Sequence, residues 1–199
     1  QLVILTMIQI GGLGFMTVGV LFSLVIHRKI GLRERGVLSE SVNALQIGGI
    51  VHLVKKILIG TLIIEGTGAL LLSIRFCGEL GFGRGIYYGI FHSISAFCNA
   101  GFDLMGYQGE FSSLVNYSGD WLVNLTIMSL VVIGGIGFLV WDDLSQKKLN
   151  FRKYRVHTKI VLITTFILIF GGALLFYLFE SGNLAKGMGP GETFLTCMF

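Results

Sequence analysis

The sequence predicts an all-α integral membrane protein of helix–pore loop–helix repeats around a central pore, with four spans and one complete re-entrant pore loop. Three observations carry this reading. Four apolar runs are each near or above the roughly 20 residues that cross a bilayer. A further apolar stretch, residues 86 to 103, is too short to cross and ends in a small, polar turn, Cys98-Asn99-Ala100-Gly101. The pattern Gly-Gly-x-Gly-Phe occurs twice, at Gly11 to Phe15 and at Gly134 to Phe138.

Composition sets the class. Hydrophobic residues make up 53% of 199, charged residues only 13%, and the mean hydropathy is +0.80. A soluble domain carries about twice that share of charge. Glycine is abundant (29) and proline nearly absent (1), which suits membrane helices that approach backbone to backbone. Cys77, Cys98 and Cys197 have no metal-ligand spacing and are odd in number; this argues against a disulfide framework. The chain opens and closes inside apolar runs, so we expect a segment of a longer polytopic protein.

The first run, about 1 to 26, ends at His27-Arg28-Lys29. Residues 1–29 read as the closing helix of one repeat. Residues 30–49 follow as a loop, in which Leu38, Val42 and Leu45 have the spacing of a short amphipathic surface helix. Residues 50–141 read as a complete helix–pore loop–helix repeat, with spans near 50 to 74 and 121 to 141. The basic loop 142–159 precedes 160–199, the first helix and the start of the pore helix of the next repeat.

Charge orients the chain. Arg28, Lys29, Arg33, Arg35, Lys55 and Lys56 flank one connection, and Lys147, Lys148, Arg152, Lys153, Arg155 and Lys159 the other. Residues 27–56 and 142–159 are therefore expected on the cytoplasmic side. The opposite side sets three cations (Arg75, Arg84, Lys186) against six carboxylates (Glu79, Asp103, Glu110, Asp120, Glu180, Glu192), a net −3. A full crossing by 86 to 103 would put the second basic loop outside, so this stretch must return to the side it came from. Irregular backbone at membrane depth is tolerated only where it is buried in protein or lines a watery cavity.

The two glycine motifs lie 123 residues apart and run in the same direction, so the repeats are parallel. A weaker match sets Lys55 to Ile59 against Lys159 to Ile163. Repeats that cannot bury their inner faces alone pack around a shared axis. A loop at that axis offers backbone carbonyls to a dehydrated cation, and glycine lets the backbone aim them. Gly101 is the residue expected to set that geometry, with Cys98, Asn99 and Ala100 supplying adjacent carbonyls. A half-helix from about Ile86 to Phe97 would turn its negative dipole end toward the ion. Phe102 and Asp103 would form the outer mouth, where Asp103 raises the local cation concentration. The competing reading of Asn99-Ala100-Gly101 is an ordinary extracellular turn.

Glu65 lies near the middle of the second span, where an ionisable residue is costly. It is either a satisfied, bundle-facing carboxyl or a gating or coupling residue. His92, Ser93, Ser95 and Cys98 superficially resemble a nucleophile and base, but no orienting third group or oxyanion site accompanies them. Gly12-Leu13-Gly14 sits inside a span with no preceding strand, so close helix packing explains it better than dinucleotide binding.

These residues resemble a known family. Phe91 to Asp103 (Phe-His-Ser-Ile-Ser-Ala-Phe-Cys-Asn-Ala-Gly-Phe-Asp) is similar to the second pore loop of the Trk/Ktr/HKT potassium transporter superfamily. Ile10 to Thr17 and Ile133 to Phe138 resemble the helices closing its first and second units, and Ile30 to Arg35 is most like the Ktr-type membrane subunit. The resemblance implies a potassium-channel-like fold of four units and potassium uptake across the bacterial plasma membrane, commonly sodium-dependent in the Ktr branch. It implies a homodimer on a cytoplasmic ring of nucleotide-binding regulatory subunits, no enzyme activity, and potassium as transported ion rather than cofactor. Gly101 would be the filter glycine of unit two, and Cys98 to Gly101 its filter carbonyls. The rival readings are an alternating-access cation carrier and a membrane-embedded enzyme or anchor subunit. No nucleic-acid partner is expected.

Overall fold

The computed structural model describes residues 1–13, 50–109, 112–147, 150–184 and 190–198. Every regular element among them is helical. In chain order these are α1 (Leu2–Leu13), α2 (Ile50–Leu80), α3 (Phe82–Phe97), α4 (Trp121–Gly135), α5 (Phe138–Lys147), α6 (Val156–Leu184) and α7 (Pro190–Met198). The amphipathic segment expected at Leu38 to Leu45, the first basic loop and the end of the first apolar run lie outside the described residues.

Among the described residues, two helices are long and apolar enough to cross a membrane, within α2 and α6, and a third span results if α4 and α5 are counted as one broken span. Leu62, Ile63, Leu70 and Ile74 on α2, and Leu168, Leu178 and Phe179 on α6, are mostly exposed. Hydrocarbon on those faces needs no protein partner in a bilayer, because lipid tails are as apolar as leucine.

α2 and α3 form a helical hairpin joined through Gly81 alone, which takes φ +77°. The pore helix expected from Ile86 thus begins a turn earlier, because the chain reverses at one glycine instead of running on through a loop. Small residues four apart then let the two backbones meet. A Cβ at Gly85 would lie 2.5 Å from Cys77 Cα, and one at Gly89 would lie 2.8 Å from the Ala69 carbonyl and overlap the Ser73 side chain. This is close small-residue packing of the kind that holds membrane helices together.

One end of the α2–α4 bundle is closed by a core of Leu72, Phe76, Met105, Tyr117, Val123 and Ile127. Met105 and Tyr117 come from the connection between α3 and α4, so both ends of that connection pack onto α2 and α4. Polar ties reinforce it. Arg75 pairs with Asp120 and, at 2.7 Å, with Glu79, and the Tyr117 hydroxyl donates to Glu79 at 2.5 Å. Asp120 also caps α4, accepting from the backbone N–H groups of Leu122 and Val123 at 3.0 and 3.2 Å.

The third apolar run, expected as one helix over 121 to 141, is two helices meeting at 96°. Gly137 at the break takes φ +87°, a conformation that glycine adopts without a Cβ penalty. The carbonyls freed by the break find partners. Trp141 Nε1 donates to the Ile133 carbonyl at 2.9 Å, and its ring packs edge-on against Phe97 at 5.7 Å. The bend thus places α5 against the end of α3. Asp143, buried on α5, accepts from Lys147 Nζ and the Arg155 N–H, both at 2.7 Å, which fixes the turn into α6.

Candidate functional site

The loop after α3 is built by a specific helix termination. The N–H of Asn99 bonds the Ala96 carbonyl at 3.0 Å and the N–H of Ala100 bonds the Ser95 carbonyl at 2.9 Å. With Asn99 at φ 53°, this is the Schellman arrangement, with asparagine in place of the usual glycine in the left-handed position. Gly101 follows at φ 71°, so the chain reverses through two left-handed residues separated by Ala100. Among the described residues, no donor reaches the carbonyls of Cys98, Asn99, Ala100 or Gly101. Asn99, Gly101 and Phe102 are exposed.

The two limbs of the loop are tied together by α3 itself. Ser95 Oγ donates to the Phe102 carbonyl at 2.6 Å and accepts from the Phe102 N–H at 3.0 Å. One turn earlier, the His92 ring bonds the Tyr88 carbonyl through Nδ1 at 2.8 Å, and Nε2 accepts from the Leu104 N–H at 3.3 Å. That pair of contacts assigns the proton to Nδ1. Both ring nitrogens are therefore committed to the backbone, and His92 is a structural brace rather than a base. Asp103 folds back, its carboxylate accepting from the Met105 N–H at 2.9 Å. A cavity of about 290 Å³ behind the loop is lined by His92, Ser95, Asn99, Asp103, Ser113 and Val131, among others.

Both copies of the glycine motif touch this loop. A Cβ at Gly12 on α1 would overlap the Cys98 side chain, and one at Gly134 on α4 would overlap the Phe97 carbonyl. The Asn99 amide also donates to the Val131 carbonyl of α4 at 3.3 Å. The loop is thus gripped between the two helices that carry the duplicated motif. Sequence reading assigned those glycines to helix packing in general; the duplication itself was the signal that they share a task.

Glu65 on α2 is buried beside the loop. Its carboxylate accepts from Gln9 Nε2 on α1 at 3.1 and 3.0 Å, and the Cys98 thiol lies 3.9 Å from Oε1. Its backbone carbonyl accepts from Ser93 Oγ at 2.7 Å. The structure therefore brings Glu65 to the residues expected at the filter, a proximity that 33 positions of separation in sequence did not reveal. Gln9, Ser95, His92 and Trp141 are the supporting residues that the sequence left unassigned.

Comparison with known proteins bears on this arrangement. Residues 1–180 match the family described as TrkH, cation transport protein. The chain is 39% identical over 189 residues to the potassium/sodium uptake protein NtpJ of Enterococcus hirae, covering 95% of this chain and 41% of that protein. It is 42% identical over 183 residues to the Ktr system potassium uptake protein B of Bacillus subtilis, covering 92% and 40%. With its counterpart from Vibrio alginolyticus it shares 35% identity over 184 residues, 92% of this chain and 39% of that one. The chain spans about two fifths of the length of these relatives, all of which carry the names of transport proteins and not of enzymes. This chain belongs to the TrkH family of cation transport proteins.

Proposed function

We propose that the chain is part of a bacterial potassium uptake protein, and that the Cys98–Gly101 backbone forms one quarter of its selectivity filter. The observation that carries this is the conformation of the loop. Two left-handed residues, Asn99 and Gly101, hold four successive carbonyls free of described donors at the C-terminal end of α3. Free carbonyls substitute for the water of a potassium ion, and a helix C-terminus adds negative potential. Phe102 and Asp103 form the outer mouth, and Glu65 acts on the loop from behind. The potassium uptake names of the relatives support the choice of ion.

In this reading residues 50–141 are one of four units, and residues 1–29 and 160–199 belong to its neighbours. The mouth faces outward, and 27–56 and 142–159 face the cytoplasm of a cell whose plasma membrane the protein crosses. A homodimer on a nucleotide-binding regulatory ring, with sodium-dependent uptake, completes the assembly. Parallel repeats and a short re-entrant loop favour a pore over an alternating-access carrier.

The test is Gly101→Ser in the full-length protein, expressed in a bacterium deficient in potassium uptake. At unchanged membrane abundance, the expected result is loss of growth on limiting potassium. Growth matching the unsubstituted protein would sink the filter assignment.

A further inference from the structure

We infer that Glu65 is a positioning residue for the filter loop, clamping it to the closing helix of the preceding unit through Gln9; this rests on the filter reading above. Gln9 and Gly12 lie three positions apart and so on one face of α1. Gln9 bonds both oxygens of the Glu65 carboxylate, and Gly12 leaves the space that Cys98 fills. The carboxylate meets the Cys98 thiol, while the Glu65 carbonyl holds Ser93 on the pore helix. One residue thus ties α1, α2, α3 and the first loop residue together.

The consequence is a seam between units that reaches the permeation site. A loop offering bare carbonyls has nothing of its own to hold their spacing, since the usual backbone donors are absent among the described residues. Its position depends on what lies behind it. Ser95 and His92 fix the outer limb through Phe102 and Leu104. On the inner limb, Cys98 rests on Glu65, and Glu65 is held by the neighbouring unit. Among the described residues the buried Gln9 amide oxygen has no partner, so there that amide is committed to Glu65 through its nitrogen alone. A carboxylate engaged by an amide and a thiol is a poor candidate for carrying ions itself.

The experiment uses full-length protein with its cellular partners and compares Glu65→Gln, Gln9→Ala and the double variant. Potassium half-saturation, maximal rate and discrimination against sodium are read beside membrane abundance. Each single substitution is expected to raise the half-saturation concentration and lower discrimination, by about tenfold for loss of a charge-assisted hydrogen bond, at near-normal abundance. The double variant is expected to be no worse than the poorer single one, because Glu65→Gln weakens and Gln9→Ala removes the same contact. Unchanged affinity and discrimination in Glu65→Gln, or independent effects that multiply, would overturn the inference. Loss of the Glu65 variant from the membrane would overturn it too, by making Glu65 a folding residue. If Gly101→Ser alters discrimination while Glu65→Gln does not, the filter reading stands and only this clamp falls.

Discussion

The carbonyl of Phe97, where α3 ends, rests so closely on Gly134 of α4 that a methyl group at 134 would overlap it. One residue on, a Cβ at Gly135 would lie 3.7 Å from Asn99 Nδ2, an ordinary contact. Gly134→Ala is therefore expected to cost about 1–3 kcal/mol through overpacking and to reduce uptake. Gly135→Ala is expected to be neutral, or to stabilise by up to about 1 kcal/mol through helix propensity. Thermal unfolding of the full-length protein in detergent, beside uptake in cells, checks both; equal effects at the two positions would contradict the packing.

Gly137 makes the bend between α4 and α5. Any L side chain there pays for the positive φ, about 1–2 kcal/mol, and asparagine pays least. Gly137→Val is expected to lower the melting temperature more than Gly137→Asn. A straightened helix would also pull Trp141 away from the Ile133 carbonyl and from Phe97. Quenching of Trp141 fluorescence by a lipid-soluble quencher, with every other tryptophan of the full-length protein replaced, is expected to increase in the valine variant.

Ser95 serves both the N–H and the carbonyl of Phe102. Ser95→Ala leaves two backbone groups without their partner, at about 1–3 kcal/mol for each that stays dry, and is expected to weaken potassium discrimination. Ser95→Thr keeps the hydroxyl and should preserve more of it. His92→Gln is expected to be milder than His92→Leu, since an amide still offers an acceptor to Leu104.

Asp120 gives the pH dependence of the cluster it forms with Arg75, Glu79 and Tyr117. Burial raises its pKa, but the hydrogen bond from Arg75 and those from the Val123 and Leu122 N–H groups together outweigh burial and hold it below the ordinary carboxylate value. Its stabilisation is therefore fully present above the unfolded pKa of about 4 and lost as pH falls through the lower folded value. Asparagine caps a helix as well as aspartate does, so Asp120→Asn isolates the charge. With Arg75 37% exposed, the loss at neutral pH is expected to be about 0.2–1 kcal/mol, measured by thermal unfolding. The gap from the unsubstituted protein is expected to close on acidification through the carboxylate range.

Much of this was legible before any coordinates. Apolar run length and charge asymmetry disclose a helical membrane protein, because bilayer thickness and backbone desolvation leave few alternatives. Gly101 was legible as a conformational glycine because its neighbours were small and polar inside an apolar stretch. The left-handed Asn99 was not, since asparagine is equally at home in ordinary turns. The break at Gly137 was hidden because the apolar pattern runs through it unbroken from Leu130 to Trp141. The seam joining Gln9, Glu65 and Cys98 depends on which faces of α1, α2 and α3 meet, and hydropathy carries no record of that. The duplicated glycine motif came nearest, marking both helices that grip the loop without naming what they grip.

The most direct measurement of the central claim is the ratio of potassium to sodium flux through purified full-length protein in vesicles, with and without Gly101→Ser. If Cys98–Gly101 is a quarter of the filter, the ratio is expected to fall at least tenfold while the protein still reconstitutes and conducts. An unchanged ratio in a conducting Gly101→Ser protein would contradict it.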